Sequence, residues 1–180
     1  MPQPDLLALL RGGDRRSIGE SDRVAAMVSR DLRLFPQLIS GLRSEDPLIR
    51  MRAGDAAEKV SRTAPKVLQA HKKDLLALMA ETDEQELRWH LAAMVPRLEL
   101  SGSECSSVAS AFKSYLKDRS SIVKTSALEG LVDLSRHDPA IHRVATGALR
   151  QALRNGTPAM KARSRKLLAQ IHAKKIFLTT

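Results

Sequence analysis

The segment "PLIRMRAGDAAEKV" (47–60) falls, when slid along the chain, on "QELRWHLAAMVPRL" (85–98), "SIVKTSALEGLVDL" (121–134) and "PAMKARSRKLLAQI" (158–171). In each copy an apolar residue precedes a basic one: Ile49-Arg50, Leu87-Arg88, Val123-Lys124 and Met160-Lys161, in steps of 38, 36 and 37 residues. A second register agrees, because "SRTAP" (61–65) and "SRHDP" (135–139) share Ser, Arg and Pro two steps apart. A period of this size marks units that cannot bury their apolar faces alone and must stack on their neighbours. A divergent first copy is read at "SIGESDRVAAMVSRDL" (17–32).

Within the copies the apolar residues recur at helical spacing. Ile49, Ala53, Ala56, Ala57 and Val60 form one stripe, and Leu87, Leu91, Met94, Val95 and Leu98 another. Aromatic residues are only 3% of the chain, so the core must come from Leu, Ala, Val, Ile and Met, which favours helices over strands. Start signals fit this. Asp46-Pro47, Asp138-Pro139 and Thr157-Pro158 each place a capping side chain before a proline at the first helical position. Thr82 with Gln85, or Asp83 with Glu86, reads as a capping box. Pro96, late in its copy, is expected to end or kink that helix. Partner helices are expected at "FPQLISGLR" (35–43), "HKKDLLALMAE" (71–81), "VASAFKSYLK" (108–117) and "ATGALRQALR" (145–154), and "SGSECSS" (101–107) reads as a loop holding the single cysteine, Cys105.

The Asp46-Pro47 turn, the apolar-basic pair opening the second helix, and the lead-in "TAPKVLQAHKKDLLALM" (63–79) resemble the HEAT-repeat family of armadillo-like α-solenoids. The resemblance covers roughly residues 33–171 and implies an all-α fold, an α-α superhelix of about four to five stacked helix pairs. The expectation is a single domain over 1–180, with a divergent first unit (1–32), clearer units (33–171) and a basic tail (172–180). The family also implies that second helices line the concave surface, and that the basic residue after the turn ties its helix to that turn.

Charge is unevenly spread. Of the net +10, residues 139–180 carry nine basic residues and no acid, whereas residues 1–138 carry 21 basic and 20 acidic residues. Such asymmetry suggests an acidic protein surface, nucleic acid or a membrane surface. The candidate binding residues follow from it. Arg50, Arg88, Lys124 and Lys161 form a ladder if the units stack, readable as a phosphate track. Asp46 and Glu84 stand four residues before Arg50 and Arg88, so helix-surface ion pairs explain those two equally well. Lys124 and Lys161 have Ser120 and Thr157 at that place and no such partner. Arg163, Arg165 and Lys166 add a basic face to the last copy, which solvation alone also accounts for. Trp89, the single tryptophan, lies off the apolar stripe and reads either as packing or as a groove aromatic.

No HExxH, Walker, GxGxxG or GxSxG pattern occurs, and the five histidines are scattered. No cofactor or metal is expected. The chain therefore reads as a non-catalytic scaffold for a macromolecular partner, first a protein and second a nucleic acid. A HEAT-like DNA glycosylase for alkylated bases is the enzymatic alternative, by resemblance of architecture; it would recruit Trp89, Asp55 or Glu129, and Arg88. Contact with a membrane surface through "KKIFLTT" (174–180) is a third reading. One cysteine, no signal-like N-terminus and no membrane-length apolar run lead to the expectation of a cytoplasmic protein.

Overall fold

In the computed structural model, residues 4–14, 17–136 and 138–177 are described. They form ten α-helices and three 3-10 segments, with no strand among the described residues. The chain divides into two compact units, Met1–Glu99 and Leu100–Thr180.

The first unit holds α1 (Leu6–Leu9), α2 (Ser21–Arg30), α3 (Phe35–Gly41), α4 (Pro47–Thr63), α5 (Lys72–Glu81) and α6 (Gln85–Met94). The second holds α7 (Gly102–Tyr115), α8 (Ser121–Leu134), α9 (Pro139–Asn155) and α10 (Pro158–Phe177). The four sequence copies begin at the first residues of α4, α6, α8 and α10, and α2 lies within the divergent copy. The local cause is capping. Asp46 accepts from the Leu48 amide at 2.8 Å, Ser120 from Val123 at 3.4 Å and Thr157 from Met160 at 3.3 Å. Asp138 caps α9 through the Ala140 amide at 2.7 Å. Pro96 acts as expected: α6 stops at Met94 and passes into a 3-10 turn, Val95–Arg97.

Two local expectations are corrected. The capping box placed at Thr82 with Gln85, or Asp83 with Glu86, does not form, because α6 starts at Gln85, with Glu84 as its N-cap and no side-chain cap bond. Thr82 Oγ1 accepts from the Glu84 amide at 3.1 Å instead. The box forms at Ser101 and Glu104, where each side chain bonds the other's backbone amide. The segment "SGSECSS" is thus the cap and opening turns of α7, and Cys105 is buried on that helix. Its carboxy-terminal expectation is partly outside the described residues: α10 runs through 172–177, while 178–180 and the side chains of 174–177 are not described.

In the first unit α4 packs against α2, α3 and α6. Its expected stripe, Ile49, Ala53, Ala56, Ala57 and Val60, is buried, as is the α6 stripe. The polar residues between them interlock the helices. Lys59 Nζ lies 2.5 Å from Asp22 of α2 and 2.6 Å from Asp55. Glu58, buried, receives Arg62 and, at 2.7 Å, Arg97 from the turn after α6. Burial alone would raise the Glu58 carboxyl, but hydrogen bonds from Arg62 and Arg97 outweigh it and hold the group below the usual carboxylate range.

Arg52 is the largest fully buried side chain, 1% exposed. Its guanidinium donates to the carbonyls of Leu10 (2.8 Å), Gly12 (2.5 Å), Asp14 (3.2 Å) and Ser17 (3.3 Å). It therefore satisfies carbonyls of the segment joining α1 to α2, whose described residues lie in no helix or strand. Gly19 makes room for it: at φ +52°, an added Cβ would lie 2.8 Å from Arg52 Cζ.

We expect Arg52→Ala to lower unfolding stability by about 3 kcal/mol, since a large buried side chain is removed and four carbonyls, that of buried Leu10 among them, lose their donor. Arg52→Lys should recover only a minor part, because one ammonium cannot span the same acceptors. Gly19→Ala should cost about 1–2 kcal/mol through backbone strain alone and more through the clash. Urea unfolding of the three variants measures all of this, and a wild-type midpoint for Arg52→Ala would remove Arg52 from its structural role.

Candidate functional site

Where α7, α8, α9 and α10 meet, the second unit has a groove of about 520 Å³. Helical spacing explains its walls. Lys113 lies in the last turn of α7 and Lys117 in the turn that follows it, and Lys124 and Leu128 lie four apart on α8. Ala148, Gln151, Ala152 and Asn155 form one stripe of α9, and Gly156, Thr157 and Met160 close the α9–α10 junction. The floor is aliphatic: Leu116, Leu128, Ala148, Ala152 and Met160. Of these, Leu116 and Ala148 are partly exposed.

The groove is cationic because none of its lining residues is acidic. Leu100–Thr180 contains 14 basic residues and five acids, and each acid is engaged elsewhere. Glu104 and Asp138 cap helices. Asp118 accepts from the Ser120 amide at 2.7 Å. Asp133 pairs with Arg136 at 2.9 Å and Glu129 with Arg163 at 2.6 Å. Among the described residues, Lys113, Lys117 and Lys124 make no ion pair.

The structure separates the other expected residues. Lys161 is partly buried on α10 and does not line the groove; Arg165 and Lys166 are exposed. Arg163 is held by Glu129, so the acid-free run of sequence is answered by a carboxylate from α8. Burial raises the Glu129 carboxyl and Arg163 opposes that rise.

In the first unit Arg50 and Arg88 are tied into turns. Arg50 donates to the Ser44 and Glu45 carbonyls at 2.5 and 2.9 Å and reaches Glu84 at the α6 N-cap at 2.9 Å. Arg88 Nε donates to the Thr82 carbonyl at 2.9 Å. Ser44 and Thr82 are equivalent positions, six residues before their arginines, so one tether is built twice. Asp46 is occupied in capping α4, and the partner of Arg50 is the acid of the following copy.

Trp89 is half-buried, and its Nε1–H donates to His90 Nε2 at 2.9 Å. His90 is buried against α4, where the Cβ position of Gly54 is only 2.9 Å from His90 Cδ2. Burial pushes the imidazole down to about 4, with the surrounding carboxylates only partly opposing this. His90 is therefore neutral near pH 7, with Nε2 as acceptor.

The carboxylates of the glycosylase reading are both engaged: Asp55 with Lys59 and with the Ser21 hydroxyl, Glu129 with Arg163. Burial raises the Cys105 thiol, which disfavours the thiolate. Among the described residues no group of three or more His, Cys, Asp or Glu side chains could hold a metal ion, and no helix is long and apolar enough to cross a membrane. No protein-family model matches the chain, and no curated protein matches it.

Because His90 titrates near 6.5 when unfolded and near 4 when folded, the unfolded chain binds the extra proton between those values. Its contribution is complete above about pH 6.5 and is lost as pH falls towards 4, by about 3 kcal/mol in total. Glu58 acts in a lower window, below the ordinary glutamate value of 4.5. We expect His90→Gln to flatten the stability profile between pH 6.5 and 4.5 in urea titrations. An unchanged slope would mean that His90 is not the responsible group.

Proposed function

We propose that this protein is a non-catalytic HEAT-like repeat scaffold that holds an acidic protein partner on its C-terminal unit. The repeat period, the helix starts at each copy and the doubled arginine tether support a superhelical stack of four to five helix pairs. Stacks of this kind bind through extended surfaces. The observation that carries the reading is the groove itself: Lys113, Lys117 and Lys124 surround an aliphatic floor, and every acid of the unit is engaged elsewhere. Uncompensated charge of one sign attracts and orients a partner of the other. A cytoplasmic location fits a single buried cysteine.

Nucleic acid is the second reading, favoured by Lys161, Arg165 and Lys166, which make no ion pair among the described residues. The two separate by residue and by salt. With labelled poly-Glu, we expect binding that falls by about tenfold or more in the triple variant Lys113→Glu, Lys117→Glu, Lys124→Glu and changes little on charge reversal of Arg165 and Lys166. Random duplex and single-stranded DNA are compared at about 50 and 200 mM salt. DNA binding that exceeds poly-Glu binding, collapses over that range and depends on Arg165 and Lys166 would replace the protein reading. Base release from alkylated duplex at protein excess would overturn the non-catalytic assignment.

A further inference from the structure

We infer that the groove between α7, α8, α9 and α10 takes a peptide segment that carries carboxylates around one aliphatic side chain. The aliphatic group rests on Leu116, Leu128, Ala148, Ala152 and Met160, while the carboxylates meet Lys113, Lys117 and Lys124. The inference rests on the acidic-partner reading and deepens it by stating what the partner must present.

The floor is the first ground. A chain that offers charge alone has no use for five aliphatic residues at the base of a cationic groove. An aliphatic side chain seated there removes apolar surface from water on both sides. Phosphodiester chains are the competing occupant. They gain sequence-tolerant affinity by stacking bases on aromatic rings, and no lining residue is aromatic. The described aromatic side chains of the unit, Phe112 and Tyr115, are buried at 0% and 2% exposure.

The choice of cation is the second ground. All three basic lining residues are lysines. An ammonium on a flexible stem meets a carboxylate as a point charge and tolerates a range of positions, where a guanidinium would demand a planar, paired geometry. The lysine stems also extend the apolar wall. Charge thus supplies attraction without fixing register, and the floor fixes register through the one side chain that fits it. Gln151 and Asn155, exposed on one edge of the groove, have no hydrogen-bond partner among the described residues and offer amides to a peptide main chain.

Fluorescence anisotropy on the full chain tests this with three probes of equal charge. They are a short Asp/Glu peptide with one central leucine, the same peptide with serine in its place, and a single-stranded oligonucleotide. The leucine peptide should bind about tenfold more tightly than the serine peptide. Ala148→Leu, which fills the floor, should erase that advantage. Leu116→Ala should narrow the advantage by a second route if Ala148→Leu disturbs folding, which its circular dichroism reports. The triple lysine reversal should remove both peptides. Equal binding of the two peptides overturns the inference and leaves the acidic-partner reading standing. Preferred, lysine-dependent binding of the oligonucleotide overturns both, as does failure of every probe to bind.

Discussion

Helix α4 can be enclosed by α2, α3 and α6 only because the contact surfaces are small. A Cβ on Gly41 would lie 2.7 Å from the Ala53 Cβ, and one on Gly54 would lie 2.9 Å from the His90 ring. Ala53, Ala56 and Ala57 fill the seam between them without protruding. Helices at such close range leave no water for polar groups, so those within the contact must find partners in the protein. The Glu58–Arg97 pair and the buried Arg52 are the consequences of that approach. Neutral His90 is another, because an imidazole pressed against a glycine has no solvent to stabilise its charge.

Arginine and lysine occupy the same place in the repeat and behave differently. Arg50 and Arg88 turn a multi-donor guanidinium back onto the turn before their helix, and Arg50 also bonds the acid that starts the next copy. Lys124, with a compact ammonium, lines the groove instead. The first unit is close to charge balance and turns these two arginines inward. The second has 14 basic residues against five acids, and its Lys113, Lys117 and Lys124 make no ion pair among the described residues.

Much of the fold was legible because its signals are local. An apolar residue every three or four positions, with Asp, Ser or Thr just before, marks a helix start from a few neighbouring residues. The helix starts at 47, 121 and 158 follow such caps, whereas α6 starts at Gln85 behind Glu84, which makes no side-chain cap bond. The start of α7 was equally local, in the Ser101 and Glu104 pair, but the density of serine and glycine there reads as a loop. Arg52 left no such trace. One arginine two positions from another looks like helix surface, and its acceptors lie 35 to 42 residues away.

For the site, the sequence by itself determined the helix period, the surplus of cations after residue 139 and the lack of a local acid for Lys124. These depend on spacing and composition. Only the tertiary structure decided which cations are spent. Arg163 is answered by Glu129 of a different helix, Arg50 by Glu84 of the next copy, and Lys113, Lys117 and Lys124 converge on one aliphatic floor. The reason is distance. A helix is specified by residues within a few positions of one another, whereas an ion pair or a groove joins side chains whose separation along the chain says nothing about their separation in space.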